Sequence, residues 1–224
     1  MTPVRWVAVR SEDLPRGEAW LTPAERLALA RLTVPKRRGD WLLGRFAAKR
    51  ALLLAGAVSR EEEACVLAGP SGAPEAHIGG RPAPFILSIT HSHGHAAAAV
   101  APEGVRLGLD LERIEARAGS FLEDWFTPSE RAFVGASPAG EAALRATLVW
   151  SAKEAVMKAL REGLRIAPRD VEAVPAPGPA DGLWRPFGAR GPAAPEWSGW
   201  WRANDGFVLS SVADPPSGPP QRIG

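Results

Sequence analysis

The chain has one cysteine, Cys65, and no tyrosine. A single thiol cannot close a disulfide within the molecule, so the fold is not a disulfide framework, and the count fits a reducing compartment. No stretch approaches the roughly 20 consecutive apolar residues of a membrane-spanning helix. The opening residues, Met1-Thr2-Pro3-Val4-Arg5-Trp6, lack the apolar run of a secretory signal. Charge of one sign is not in excess either. A formal net charge of +2 over 224 residues gives a weak overall field, unlike that of a generic nucleic-acid binder. These absences lead us to expect a soluble cytoplasmic protein without a membrane or nucleic-acid partner. The lack of tyrosine beside nine tryptophans points to no function. The length is enough for one large domain or two small ones with a real core.

What is present begins with a weak internal echo. Thr22-Pro23-Ala24-Glu25-Arg26 is answered by Thr127-Pro128-Ser129-Glu130-Arg131. Both read as capping boxes, with Thr at the N-cap, Pro in the first helical position and Glu reaching back to the cap. Helical segments follow each at similar spacing, one with Ala47-Ala48-Lys49-Arg50-Ala51 and one with Ser151-Ala152-Lys153-Glu154-Ala155. A strand-like pair, residues 96–100 and 207–212, also matches. Three echoes in one order favour two similar halves that divide near residue 105. Strands are expected over 4–9, 85–90, 96–101 and 105–112, the last from strict alternation of Val105, Leu107, Leu109 and Leu111 with polar neighbours. Helices are expected over 41–55, stopped by Gly56, and over 141–161, closed by Gly163. Residues 175–195 are rich in Pro, Gly and Ala and read as irregular. Asn204-Asp205-Gly206 signals the turn of a closing hairpin, and the tail from about 215 reads as disordered.

Two segments carry chemistry. On the strand ending Asp110-Leu111-Glu112, the two acids share a face, and like charges this close repel unless a cation lies between them. On the long helix, Trp150, Glu154 and Lys158 share a face, while Val149, Ala152, Val156 and Leu160 make the buried stripe. Taken singly, the first pair also describes a solvated strand face, and Glu154 with Lys158 a surface ion pair. Three carboxylates in this pattern suit Mg²⁺, a hard cation that takes carboxylate, water and phosphate oxygens. His91, His93 and His95 alternate in a loop with no cysteine nearby. We set zinc aside there and read His91 and the loop hydroxyls as phosphate donors. Lys36, Arg37, Arg38, Arg45 and Lys49 form a basic cluster, and Gly79-Gly80-Arg81-Pro82 is a turn that can bring amides and a guanidinium to an anion.

In their order and spacing these pieces resemble the 4′-phosphopantetheinyl transferase superfamily, in particular the long single-chain branch that activates surfactin-type synthetases. The resemblance rests on Gly80-Arg81-Pro82, Ser88-Ile89-Thr90-His91-Ser92, Gly108-Leu109-Asp110-Leu111-Glu112, Trp125-Phe126-Thr127-Pro128-Ser129-Glu130 and the run from Trp150 to Lys158. Thr90 stands where the family more often has serine. The resemblance implies an α+β fold of two pseudo-symmetric halves, each a small antiparallel sheet packed with helices, with the active site in the cleft between them. The N-terminal half, residues 1–105, would take the nucleotide side of coenzyme A. The C-terminal half, residues 106–224, would supply the carboxylates and the catalytic helix. The implied activity is that of a holo-[acyl-carrier-protein] synthase type transferase. It moves 4′-phosphopantetheine from coenzyme A, its co-substrate, to a serine of an apo acyl or peptidyl carrier protein, with Mg²⁺ as cofactor. Asp110, Glu112 and Glu154 would hold the metal, and Glu154, Lys158 and His91 would act in catalysis. Lys36, Arg37, Arg45, Gly80, Arg81, Ser88, Thr90, His91 and Lys158 would bind coenzyme A. Two halves in one chain suggest a monomer. The rival readings are a non-catalytic coenzyme A or nucleotide-binding protein and a Mg²⁺-dependent nucleotide pyrophosphate hydrolase.

Overall fold

The computed structural model describes residues 3–161, 166–175, 182–191 and 194–224. In chain order the regular elements are β1 (Arg5–Arg10), α1 (Pro23–Ala30), α2 (Pro35–Leu54), β2 (Ala64–Ala68), β3 (Pro74–Ile78), β4 (Arg81–Pro82), β5 (Phe85–Ser92), β6 (His95–Pro102) and β7 (Arg106–Arg113). They continue with α3 (Gly119–Trp125), α4 (Pro128–Gly135), α5 (Ala142–Leu160), β8 (Glu172–Pro175), β9 (Arg185–Gly191), β10 (Ala194–Asn204), β11 (Phe207–Asp214) and β12 (Gln221–Arg222). One sheet runs β12-β1-β6-β5, a second β7-β11-β10-β9-β8, and a small third β2-β3-β4. The α+β class read from the sequence holds.

Four layers result. Leu43, Ala47 and Ala51 of α2 pack on Leu87, Ala96 and Ala98 of the first sheet. The opposite face of that sheet, with Trp6, Ala97 and Ala99, meets Leu109, Leu111 and Leu209 of the second. Behind the second sheet, Ala152, Val156 and Ala159 of α5 pack on Trp201, Val208 and Val212. The run of small residues in β6 makes this possible. Alanines on both faces let a helix approach from one side and a sheet from the other, and Ala96 to Ala99 are all fully buried.

Both capping boxes form as the sequence implies, at Thr22 with Glu25 and at Thr127 with Glu130. Each glutamate does more than cap. Glu25 accepts the Val66 amide at 2.9 Å and meets the Lys49 ammonium at 2.6 Å, both side chains fully buried. Glu130 accepts the Ala173 amide at 2.7 Å and is paired with Lys153. Lys49 therefore leaves the basic cluster read from the sequence, because its charge is spent inside the core. Removing one member of a buried pair leaves the other charge uncompensated, at a cost of about 3–5 kcal/mol. Lys49→Met is expected to lower the urea midpoint accordingly. Adding Glu25→Gln should recover part of the loss, since the amide oxygen still accepts a backbone hydrogen bond. An unchanged midpoint in the single variant would refute this role.

Several boundaries differ from expectation. α2 begins at Pro35, not Trp41, because proline suits the first helical turn. Lys36, Arg37 and Arg38 are thus helical. Residues 175–195 are not irregular throughout, since β9 occupies Arg185–Gly191 and Pro186 sits near its start, where a missing N–H is tolerated. The tail expected to be disordered is ordered: β12 pairs in parallel with β1, and Trp200 Nε1 donates to the Ser217 carbonyl at 3.1 Å. An open edge of β1 needs a partner, and composition does not register that need. Gly163, expected to close α5, lies outside the described residues. No described helix is long and apolar enough to cross a membrane.

Candidate active site

β7 is an edge strand of the second sheet and β5 an edge strand of the first. The two edges meet through side chains. Ser88 Oγ accepts the Leu109 amide at 2.8 Å, and Thr90 Oγ1 accepts the Leu111 amide at 2.9 Å. Without those hydroxyls, two buried edge N–H groups would lack acceptors. Thr90 also donates to Asp110 Oδ1 at 3.3 Å. Ser88 and Thr90 were expected to bind coenzyme A. Both hydroxyls join the sheets, and that of Thr90 also holds Asp110, while Ser88 contributes to a cavity wall.

α5 crosses behind the same strand. Ser151 Oγ donates to the Asp110 carbonyl at 3.2 Å. The Lys158 ammonium donates to the Leu109 carbonyl at 3.1 Å and to Asp110 Oδ1 at 2.8 Å. Lys158 therefore turns to Asp110, and the bland reading of a surface pair with Glu154 does not apply. Asp110 is buried, and its second oxygen, Oδ2, has no hydrogen-bond partner. The Glu154 carboxyl is pushed up from 4.5 to about 7, first by burial and then by the charge of Asp110, with Glu112 adding to the rise and Lys158 opposing it. Burial and Asp110 also raise Glu112, against the pull of Arg117, whose guanidinium lies 3.0 Å away.

The three acids read from the sequence thus share one electrostatic neighbourhood. They do not form a coordination shell as they stand: among the described residues, no three His, Cys, Asp or Glu side chains are grouped closely enough to hold one ion. The chemistry of the donor set nonetheless fits a hard cation. One buried carboxylate oxygen is orphaned, and two neighbouring carboxyls are raised by burial and, after it, by the charge of Asp110, which a cation would relieve.

Two adjoining cavities flank this centre. The larger, about 860 Å³, is lined by Ser88, Trp125, Trp150, Glu154, Met157 and Lys158 among others. The smaller, about 350 Å³, is lined by Arg37, Asp40, Trp41, Arg45 and His91. Gly72, Pro74 and Ile89 belong to both walls, so the two form one groove. Arg45 lies over the Trp41 ring at 4.8 Å, and its Nε is buried without a partner. Burial pulls the Arg45 pKa down and Glu25 resists the shift. His91 is half-exposed, with Nδ1 4.0 Å from Asp40 Oδ2. Burial lowers its pKa, so at neutral pH it is an uncharged donor.

The structure therefore brings Ser88, Glu154 and Lys158 to one end of a groove and Arg37, Arg45 and His91 to the other. It does not bring Lys36, which is exposed and held by Asp40 at 2.7 Å. Gly80 and Arg81 line neither cavity, because the β3–β4 turn faces solvent. His93 and His95 are occupied within their own hairpin. The sequence reading missed the loop at Gly72 and Pro74, which carries no chemical signature. It also missed Trp41, whose one signal was its place a helical turn before Arg45, and Arg117.

Residues 106–191, well under half of the chain, match the family model of the 4′-phosphopantetheinyl transferase superfamily. That stretch holds Asp110, Glu112, Glu154 and Lys158, and the resemblance to the superfamily, though not to its long single-chain branch, is matched by this finding. No curated protein gives a match. Among solved structures, the holo-[acyl-carrier-protein] synthase of Thermotoga maritima is similar at 20% identity, covering 57% of this chain and 76% of its own, with a TM-score of 0.37.

Proposed function

We propose that this protein transfers the 4′-phosphopantetheine arm of coenzyme A to a serine hydroxyl of an acyl or peptidyl carrier protein, in the manner of the single-chain transferases. The observation that carries this reading is the groove itself. Arg37, Arg45 and His91 stand at one end, and Glu154, Lys158 and Asp110 at the other, a layout suited to a long ligand with phosphates at two places. The joint volume exceeds that of a typical small-ligand pocket, as a long ligand requires.

The two halves, residues 1–105 and 106–224, then divide the work. Arg37 and Arg45 take the nucleotide phosphate through charge-assisted hydrogen bonds, and His91 donates an N–H to it without adding charge. Lys158, steadied by Asp110, stabilises negative charge on the transferring phosphate. Glu154 accepts the proton of the attacking serine hydroxyl, directly or relayed through a water. The serine oxygen forms a bond to phosphorus as the bond to the leaving phosphate breaks, and adenosine 3′,5′-bisphosphate departs with the electron pair. Asp110, Glu112 and Glu154 are the residues to hold Mg²⁺, which when bound supplies neutralisation of the pyrophosphate charge.

Intact-mass spectrometry of apo carrier proteins incubated with this protein, coenzyme A and Mg²⁺ is the direct test. The expected result is a gain of one phosphopantetheine arm on at least one carrier. Release of free phosphopantetheine without a carrier would replace the reading with pyrophosphate hydrolysis. Tight coenzyme A binding with no product would replace it with a binding protein.

A further inference from the structure

A third cavity, of about 340 Å³, opens elsewhere between the two larger sheets and includes none of the residues that line the groove. Its wall includes Trp6, His95, Leu111, Arg202, Phe207 and Arg222.

The two hairpins that frame it are built alike. β5 and β6 turn through His93 and Gly94, at φ 48° and 74°, and β10 and β11 through Asp205 and Gly206, at φ 51° and 79°. Ser92 pairs with His95 in the first, and Asn204 with Phe207 in the second. Counted back from the turn, Arg202 occupies the place that Thr90 occupies, and Phe207 answers His95. Thr90 seals its seam by a hydrogen bond to β7. Arg202 makes no such bond. It reaches over Trp6 at 5.6 Å and Trp184 at 5.7 Å, and the seam on its side stays open.

Arg222 arrives from the C-terminal strand and lies over the same Trp6 ring at 5.6 Å. Two cations therefore share one indole. Burial lowers the pKa of Arg202 and the charge of Arg222 lowers it further. Asp205 opposes that shift through its charge, but no rim acid forms an ion pair with either arginine among the described residues. Glu12 lies 3.7 Å from Arg10, Asp13 accepts the Arg10 amide at 2.7 Å, and Asp205 accepts from Asn204 at 2.6 Å. Neither the Arg202 nor the Arg222 side chain forms a hydrogen bond or ion pair among the described residues. The wall also carries aromatic and apolar groups, with His95 and Phe207 ring centres 4.5 Å apart and Leu111 among the lining residues.

We propose that this cavity is a second ligand site, which binds a small organic oxyanion, a carboxylate or phosphate monoester on an aromatic or apolar body. The two guanidinium forks take the oxyanion, as such groups do in paired hydrogen bonds. Phe207, His95 and Leu111 cover the body. No acid of the metal-type trio lies in this wall, so the site is one for binding, independent of the transfer reaction proposed above.

The test uses the full ¹⁵N-labelled chain and follows indole N–H resonances, with Trp6 and Trp184 assigned from Trp6→Phe and Trp184→Phe. The probes are phenyl phosphate, benzoate and inorganic phosphate, so the two oxyanion classes and the bare ion are compared. Saturable shifts of both indoles are expected with phenyl phosphate or benzoate, at lower concentration than with inorganic phosphate. Arg202→Gln and Arg222→Gln should each weaken binding about tenfold or more. The double variant Arg37→Gln, Arg45→Gln, which disables the groove, should leave these shifts intact. If Arg202→Gln fails to fold, Arg222→Gln decides, because it alters only an exposed side chain at the chain end. No saturable shift at millimolar probe, or shifts undiminished in Arg222→Gln, would overturn the site. Equal affinity for inorganic phosphate and both organic probes would overturn the apolar flank.

Discussion

Glu154→Gln is expected to abolish transfer and, at the same time, to stabilise the metal-free protein above neutral pH. The loss of transfer follows from the place of Glu154 in the larger cavity, where it is the one raised carboxyl on the face of α5 that also carries Lys158. Removing a general base typically costs about 10²–10⁴-fold in rate, and loss of a metal carboxylate adds to that. The gain in stability follows from the same environment. A carboxyl that titrates near 4.5 when unfolded and at about 7 when folded resists ionisation in the folded state. Below the unfolded value both states hold the proton and nothing is lost. As pH rises from about 4.5 through about 7, the unfolded state releases the proton first, and stability falls. Allowing for partial exposure, the penalty above pH 7 is about 1–3 kcal/mol. Glutamine removes it.

Urea unfolding at acid and alkaline pH checks this without any assay of activity. The variant should match the parent near pH 4, exceed it above pH 7, and gain less than the parent from added Mg²⁺, because a cation relieves the parent's own repulsion. Equal stability at alkaline pH would show that Glu154 is not under the strain assigned to it. Undiminished transfer would remove it from the mechanism.

How far these features could be read from residues alone depends on the range of the forces involved. Trp150, Glu154 and Lys158 were legible because helical periodicity puts them on one face, and they do line one cavity. Asp110 and Glu112 were legible by strand alternation, and the capping boxes by local hydrogen-bond chemistry. Lys49 was misread. Within a basic run it looks like a solvent-facing charge, and only Glu25 on another helix takes it inside. Ser88 and Thr90 were placed near the site, but their part in joining the two sheet edges was not foreseen, since sequence alone does not reveal which edge N–H groups a fold leaves open. Arg81 was expected at the nucleotide end from the resemblance, and it is exposed and lines neither cavity of the groove. Arg222 looked like part of a loose tail until β1 offered it an edge. Local patterns gave the elements, while pairings between distant segments decided the site.

Gly108→Ala should be the most damaging glycine-to-alanine substitution among the described residues. Gly108 lies on β7 two residues before Asp110, directly beneath α5. A Cβ there would overlap the Ala155 carbonyl oxygen and stand 2.9 Å from the Ala159 nitrogen. Both obstacles are helix backbone, so no side-chain rotation relieves them, and Ala155→Gly would not rescue the variant. The helix must lift from the strand. Overpacking of this kind costs about 1–3 kcal/mol or more, and here it also breaks geometry. Ser151 and Lys158 of α5 reach Asp110 and Leu109 only because the helix lies close over this glycine. A shift of about 1 Å at a reacting centre can cost about 10²-fold in rate. The expected result is a lower urea midpoint together with a transfer rate reduced by about two orders of magnitude. Gly39→Ala is the control. That glycine lies in α2 with open space around it, and alanine should be neutral or stabilising there by up to about 1 kcal/mol. A Gly108→Ala protein with both its midpoint and its transfer rate intact would mean that α5 does not need this close approach to present Glu154 and Lys158.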